Sequence, residues 1–576
     1  MKEISHEAML RIRRRLSRLY PDKVETLARR FYHLVGRYGV GVNPAGVDGR
    51  WSQKDAFLIT YADMVQREGE APLKTLRRFL SARLRGAVST VHILPFCPWS
   101  SDDGFSVIDY RAVEPDYGTW ADIGGLGQDF KLMFDLVLNH CSRRSSWFND
   151  YVKGVQPARD YFHELDPGTD VSAVIRPRPT PLLSKVQTRR GVRHVWTTFS
   201  EDQVDLNWAN PDVLFEFLDI LLLYAANGAS AIRLDAVAFL WKELGTSCLH
   251  LPETHEAVKL IRDVLEVVAP EMIVLTETNV PHEENISYFG DGDEAHMVYQ
   301  FSLPPLLLHG LLNDETAHLK SWADSLPPPG DGRTFLNFTA SHDGVGVRPL
   351  TGLVPDGELD ALIEQVRARD GEVSWRDNGD GTQSPYELNI SWYSAMSEPG
   401  NPDLGRRRFL CSQAVAMALQ GIPAVYFHNL VACGNWSEGV EESGRKRTIN
   451  RRKWKEDELE ARLADPDGQA AIVLQAMTQM LLRRSEHAAF HPDGDQLVLD
   501  LPPGLFGVMR TSPDQSETVV CLFNFQRTPN DVPAVGALHL APGSEYRDLI
   551  QGFSIKVDDE TTLSLAPYQA VWLLKI

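Results

Sequence analysis

Between residues 51 and 486, short apolar runs alternate with longer stretches in which apolar positions recur every three or four residues. Eight such runs stand out, at 56–61, 88–96, 132–139, 230–236, 272–276, 296–301, 334–340 and 422–428. Runs this short, bounded by turn residues, predict buried strands, and the helical periods between them, as at 73–84, 213–226, 257–268 and 407–419, predict crossover helices. Alternation of this kind predicts a parallel sheet, and eight units are the tally of an α/β (β/α)8 TIM barrel. A doubly wound open sheet reaches similar length. However, Tyr61-Ala62-Asp63 follows the first run where that fold has a Gly-rich phosphate turn.

The pattern changes at both ends and in two gaps. Residues 1–50 place Met9, Ile12, Leu16, Leu27, Phe31 and Leu34 at helical spacing and end in a Gly-rich turn at 39–49, which predicts a helical N-terminal extension. After residue 486 the helical period gives way to short strand-like runs, predicting an all-β domain over 487–576. The third and fourth runs are too far apart for a simple crossover, which predicts a subdomain inserted at 142–190 that carries Arg176-Pro-Arg-Pro-Thr-Pro181. A second long gap predicts an inserted lid at 349–405, with a turn at 377–381. The barrel itself then occupies 51–141 and 191–486. Long insertions on a barrel commonly cover an active site.

Composition narrows the partners. Apolar residues at 43% and charged residues at 24% suit a soluble globular chain of 576 residues with a sizeable core. A formal net charge of −20, with Lys and Arg dispersed, argues against nucleic acid. No run has membrane-spanning length and the N-terminus lacks a signal-peptide core, so a cytoplasmic protein is expected. Cys97, Cys141, Cys248, Cys411, Cys433 and Cys521 lie far apart without ligand-spaced partners, which predicts reduced, mostly structural thiols and no metal. Cys141 beside His140 is a poor nucleophile–base pair, because neighbours on a strand face opposite ways.

The chemistry is concentrated at strand ends. The third run closes on Asn139-His140, the fourth carries Arg233 and Asp235, the fifth leads into Glu277, and the seventh into His342-Asp343. In a barrel these ends converge on one mouth. Converging carboxylates without metal spacing fit glycoside chemistry, in which a nucleophilic carboxylate and a protonated acid stand roughly 5 Å apart. Asp235 suits the nucleophile because Arg233, on the same face, is expected to keep it ionised. Glu277 suits the acid, its pKa raised by a facing carboxylate in a dry pocket. Asp343 would stay ionised to support oxocarbenium charge, with His140 and His342 donating to sugar hydroxyls.

The strings DLVLNH, AIRLDA, LTET and FTASHD, in that order on those strands, resemble the signature regions of the α-amylase superfamily, glycoside hydrolase family 13. That resemblance implies Asp235 as nucleophile, Glu277 as acid/base and Asp343 as transition-state stabiliser. Finer strings, among them LITYAD at 58–63, HILPF at 92–96, RPRP at 176–179, LPPLLLH at 303–309 and RTINR at 447–451, resemble its sucrose phosphorylase branch. Matching positions there imply that Asp102, Phe105, His140, Phe199, Arg233, His342 and Arg447 bind the glucosyl unit. They also imply that Arg178 meets inorganic phosphate, the co-substrate, with no metal or organic cofactor. A guanidinium fork suits a dianion, and flanking prolines limit the entropy that Arg178 loses on binding.

The chain departs from sucrose phosphorylases at Phe239, four residues after the expected nucleophile, where those enzymes have Tyr. It also departs in a shortened segment at 347–355. With Thr278-Asn279-Val280-Pro281-His282 and the N-terminal extension, these features resemble glucosylglycerate phosphorylases. A carboxylate-bearing leaving group needs a cation, and Arg348 is the candidate. Phosphorolysis of 2-O-α-D-glucosylglycerate is the expected activity. Sucrose, sucrose 6-phosphate and glucosylglycerol phosphorylases, an α-glucosidase and a catalytically silent assembly subunit remain as alternatives, and a homodimer is left open.

Overall fold

The computed structural model describes residues 4–38, 49–327, 330, 332–378 and 382–576. Of the turns expected at 39–49 and 377–381, residues 39–48 and 379–381 lie outside the described residues. Eight strands close into a parallel barrel: β1 (Phe57–Thr60), β2 (Thr90–Ile93), β3 (Lys131–Val137), β4 (Ala229–Asp235), β5 (Ile273–Thr276), β6 (Met297–Tyr299), β7 (Thr334–Phe338) and β8 (Ile422–Tyr426). Around the barrel each strand pairs with its neighbour in sequence, and β1 closes on β8. Six of the eight apolar runs contain their strands and the other two, at 132–139 and 230–236, miss only the first residue, because a strand covered on both faces reads as a continuous apolar stretch.

The crossover into β4 illustrates how local sequence sets the site. Helix Pro211–Ala226 begins with Pro211 in its first turn and with the Asn210 side chain accepting the Asp212 amide at 3.0 Å. It buries Val213, Leu214, Phe217, Leu218, Leu221 and Leu222 against the barrel. Gly228 then turns the chain into β4 with φ +91°, a conformation that costs any residue bearing a Cβ. On β4, Arg233 pairs in register with Asp135 of β3 and with Leu275 of β5. Asp235 stands level with Val137, at the carboxyl end of the sheet.

Two long connections carry structure over that end. Between β3 and β4 lie helix Ser146–Lys153 and the hairpin Leu183–Thr188/Gly191–Trp196, and the short strand His140–Ser142 pairs antiparallel with Gln203–Asp205. Between β7 and β8, Val345–Gly346, Gln383–Asn389 and Glu372–Asp377 form a three-stranded sheet beside helix Asp356–Arg367.

Both termini are fastened to the barrel. Helix His6–Leu19 spreads Arg11 and Arg15 over the helix Pro252–Val268, with Arg11 and Arg15 each donating through Nε to Asp263 at 3.1 and 3.0 Å. Tyr20 donates to the Trp208 carbonyl at 2.7 Å and packs against Trp241. At the other end a six-stranded antiparallel sheet packs Phe506, Phe523 and Trp572 into the same core as the barrel, while its outer face holds a core of its own around Val532, Leu540 and Leu573. Arg510, fully buried on this sheet, donates to the Ala418 and His491 carbonyls, both at 2.8 Å. No helix among the described residues is long and apolar enough to cross a membrane, and all six cysteines are free and buried.

Candidate active site

The strand ends surround a cavity whose wall includes Asp102, Phe105, His140, Arg178, Phe199, Arg233, Asp235, Glu277, His342, Asp343 and Arg447. Eleven of the residues singled out from sequence therefore meet in one place. Phe239 and Arg348 are not among the lining residues.

Arg233 forms the floor. Its Nη1 reaches both Asp135 and Asp235, the latter at 2.8 Å, and its Nη2 lies 3.8 Å from Glu277 Oε2. Asp135 is held on its other oxygen by His92 Nε2 at 2.6 Å. One guanidinium thus serves three carboxylates. Ala236, immediately after β4, adopts φ +49° and directs its amide at Glu277 Oε2, 2.9 Å away. Strain of this kind at the mouth of a barrel is held by the surrounding contacts, and here it joins the two strand ends.

Asp235 shares Arg233 with Asp135. Burial pushes the Asp235 carboxyl well above its ordinary value; Arg233 opposes this, but Glu277, Asp135 and Asp343 add to the rise. Asp135, in register on β3, takes a share of the Arg233 charge that would otherwise act on Asp235. Burial likewise raises Glu277, as expected, with Asp343 adding to the rise and Arg233 opposing it. The two titrate as a pair that holds a proton above the usual carboxylate range.

Asp343 behaves oppositely. Burial raises it, yet Arg447 at 2.6 Å, His342 at 3.4 Å and Arg451 at 3.6 Å outweigh that cost and hold it well below the usual range. Arg447 is itself fixed by a bidentate pair of 3.0 Å bonds to Glu387, a fully buried carboxylate that also accepts the Gly344 amide at 2.9 Å. Asn450 donates to the Ser341 and Asp343 carbonyls at 2.8 and 2.9 Å. This second cluster ties the turn after β7 to the segment Lys446–Asn450.

The side wall is built on strained backbone. Asp102 and Asp103 have φ +54° and +48°, and Gly104 is packed so that a Cβ would lie 2.5 Å from the Pro95 carbonyl. Arg451 holds the turn by reaching Asp103 at 2.6 Å and Asp102 at 3.4 Å, while its Nε donates to the His342 carbonyl at 2.8 Å. Phe105 stacks on His342, 4.8 Å between centroids and 7° between planes. Burial draws His342 down to about 3 and lowers His140, so both imidazoles are neutral at physiological pH. His140 Nε2 already lies 3.0 Å from the Phe105 carbonyl, so that proton has a partner within the protein. His342 lines the cavity, and its Nδ1 is buried and unpartnered among the described residues.

The rim differs. Phe199 packs edge to face on Phe239, 5.4 Å apart, so Phe239 supports the wall from behind. Arg178 lies over the ring of Tyr386 at 5.8 Å, and both line the cavity. Arg348 sits in the short turn Arg348–Leu350 near Tyr386, Arg376 and Glu284, and burial lowers its guanidinium pKa.

Sequence reasoning missed several members. Asp135 was visible in the DLVLNH string, but its hold on Arg233 depends on register. Glu387 and Arg451 lie far along the chain from Asp343 and bear no spacing to it. Lys242 Nζ, which pairs with the fully buried Asp205 at 2.8 Å and donates to Asn139 at 2.6 Å, fixes the turn after β4 to the end of β3.

Comparison with known proteins agrees with this geometry. A family model described as the catalytic domain of alpha amylase matches residues 87–318. The chain is 47% identical to the glucosylglycerate phosphorylase of Spirochaeta thermophila over 526 residues, 90% of this chain and 89% of that one. It is 42% identical to the enzyme of the same name from Escherichia coli, covering 91% of this chain and 92% of that one. The crystal structure of sucrose 6F-phosphate phosphorylase from Thermoanaerobacter thermosaccharolyticum superposes with a TM-score of 0.72 at 27% identity, over 83% of this chain and 95% of that one. The chain belongs to the α-amylase superfamily, glycoside hydrolase family 13, in the sucrose phosphorylase branch that includes the glucosylglycerate phosphorylases.

Proposed function

We propose that the protein is a retaining phosphorylase that converts 2-O-α-D-glucosylglycerate and inorganic phosphate to α-D-glucose 1-phosphate and D-glycerate. The observation that carries this reading is the single guanidinium of Arg233 set against Asp235 and Glu277 at the barrel mouth, in a chain 42–47% identical to glucosylglycerate phosphorylases. The direct 2.8 Å bond from Arg233 favours the charge on Asp235. The Ala236 amide occupies one oxygen of Glu277 and leaves the other to carry the pair's proton.

In the first displacement a carboxylate oxygen of Asp235 bonds to the anomeric carbon as the glycosidic C–O bond breaks, and Glu277 gives its proton to the departing glycerate oxygen. Asp343, held ionised by Arg447 and Arg451, faces the developing positive charge on the sugar ring. In the second, a phosphate oxygen attacks the same carbon from the other face. Asp235 leaves as carboxylate and Glu277 takes up the phosphate proton, so configuration is retained. Arg178 on the rim supplies the fork for the phosphate, which favours phosphate over water. The reaction as written needs neither a metal nor an organic cofactor.

The test is product analysis with and without phosphate, followed by an acceptor panel with glucose 1-phosphate in the synthetic direction. Phosphate-dependent glucose 1-phosphate release and preference for glycerate support the reading. Free glucose at equal rate without phosphate makes the protein a glucosidase, and preference for glycerol, fructose or fructose 6-phosphate moves it to another phosphorylase specificity.

A further inference from the structure

Away from the cavity, two histidines and a glutamate from three different helices converge. His309 lies on helix Leu303–Asn313, His318 on helix Ala317–Ser325 and Glu358 on helix Asp356–Arg367. Glu358 Oε2 stands 2.8 Å from His309 Nε2 and 3.0 Å from His318 Nε2, and one ligand atom from each residue lies within 4.8 Å of the other two. The imidazoles meet edge on, 5.2 Å between centroids. We propose that His309, His318 and Glu358 form a binding site for a divalent transition ion of the zinc type.

Three observations support this reading over a simple hydrogen-bonded clasp. If Glu358 only accepts hydrogen bonds from neutral imidazoles, both must carry their proton on Nε2, which leaves His309 Nδ1 an acceptor. Yet a carboxylate oxygen, Glu315 Oε2, stands 4.0 Å from that nitrogen, and it is buried with no hydrogen-bond partner among the described residues. Acceptor then faces acceptor. An ion on the Nε2 side reverses the tautomer, so that Nδ1–H faces Glu315 Oε2, which at 4.0 Å needs only a small side-chain shift to form the carboxylate–histidine–metal arrangement usual at such sites.

The donor set is also selective. Two imidazole nitrogens and one carboxylate oxygen exclude calcium and magnesium, which take oxygen ligands, and match zinc at about 2.0–2.1 Å with one position left for water. Access is graded in the required sense. The His309 side chain is 3% exposed in a leucine-rich helix, whereas those of His318 and Glu358 are 26% and 46% exposed and free to close on an ion.

The position gives such an ion a structural role. Leu303–Asn313 follows β6 and places Pro304 in the cavity wall, while Asp356–Arg367 belongs to the insertion after β7 that carries Tyr386 and Glu387. The two helices are otherwise bridged by Gln365 donating to Asn313 at 2.8 Å. Thr316, between the two histidines, reaches the Leu505 carbonyl of the C-terminal sheet at 3.2 Å. An ion here staples the insertion to the barrel at the point where the C-terminal sheet also attaches. Linear spacing does not point to it, since Glu358 lies forty residues beyond His318 on a separate helix.

The test is titration of the chelator-treated full-length protein with Co2+, read by its visible ligand-field bands, and with Zn2+ by competition. One equivalent is expected to bind with tetrahedral-type bands and to raise the melting temperature. His318→Ala and Glu358→Gln, both at partly exposed positions that a fold tolerates, are expected to weaken binding by about 100-fold or more, and Glu315→Gln by about 10-fold. Absence of bound cobalt and zinc, or binding unchanged in His318→Ala and Glu358→Gln, overturns the site.

Discussion

The floor of the cavity and its rim are built on different principles. On the floor, Asp135, Asp235, Glu277 and Asp343 all meet a guanidinium that is itself fixed from a second side, and all spring from strand ends or the turns directly after them. On the rim, Arg178, Tyr386 and Phe199 come from the long connections after β3 and β7, with Arg348 behind them, and the first three make ring-to-ring or cation-to-ring approaches of five to six ångströms. Charges buried with their partners are costly to disturb, because removing one leaves the other stranded. Loose loop contacts can change while the floor persists. The difference implies that glucosyl transfer is set by the floor and the choice of leaving group and second nucleophile by the rim.

Breaking the floor should produce the largest effects. Asp235→Ala is expected to lower turnover by on the order of 10⁵-fold while substrate still binds, measured by initial rates alongside calorimetric titration. A variant that retains wild-type turnover removes Asp235 from the reaction. Glu277→Gln should cost about 10²–10⁴-fold and remove the alkaline limb of the pH profile. In the intact enzyme the acid limb marks ionisation of Asp235 and the alkaline limb loss of the Glu277 proton. Burial raises both groups, so both limbs should stand at higher pH than for ordinary carboxyls. A profile that keeps its alkaline limb in Glu277→Gln contradicts the assignment.

Stability should separate the two kinds of floor carboxylate by sign. Asp343 is held below its ordinary value, so its contribution is present above about pH 4 and is lost as pH falls through its folded value. Asp343→Asn should therefore destabilise at neutral pH, by about 3 kcal/mol if Arg447 is left short of a partner, and the difference from wild type should shrink in acid. Asp235 is held above its ordinary value, so the wild-type protein loses stability as pH rises between the two values. Asp235→Asn should raise the melting temperature at neutral pH and lose that advantage below about pH 4. Melting curves of both variants at two pH values decide it, and equal signs would merge the two carboxylates into one class.

How much of this was legible follows the same division. The eight strands were readable because each is a short run buried on both faces, and the floor carboxylates because they sit at the ends of those runs. Asp135's competition for Arg233 was not, since it arises from the register of β3 against β4. The αL turn at Asp102–Gly104 and its clasp by Arg451 join residues about 350 positions apart. Phe239 stands where sucrose phosphorylases have Tyr, and that resemblance suggested the acceptor site, but the turn Val237–Phe239 packs its ring against Phe199. Loop residues are placed by what they pack against, and linear spacing carries little of that information.

On the rim, effects should be smaller and should separate the two half-reactions. A charge-assisted hydrogen bond is worth about 1.5–3 kcal/mol, or roughly 10–100-fold. Arg178→Ala is accordingly expected to raise the KM for phosphate by that factor and to increase the share of free glucose among the products, with glycerate release from the first displacement little changed. An equal loss in phosphorolysis and hydrolysis would place Arg178 on the floor side of the division.

Arg348 is expected to give the smallest effect and the sharpest test of the rim. It does not line the cavity, yet it is half-buried beside Tyr386, the residue that Arg178 also approaches. Burial lowers its guanidinium pKa, a cost that an incoming carboxylate would offset by adding negative charge to that of Glu284. If the glycerate carboxylate draws Arg348 toward the cavity, Arg348→Ala should weaken the reaction with glycerate by about 10-fold and leave hydrolysis and any reaction with glycerol unaffected. Arg348→Lys should restore part of the loss, because the charge returns without the fork. If all acceptors decline together, Arg348 acts by packing beneath Tyr386, and recognition of the carboxylate passes to Arg178 or to Arg376 on the neighbouring strand.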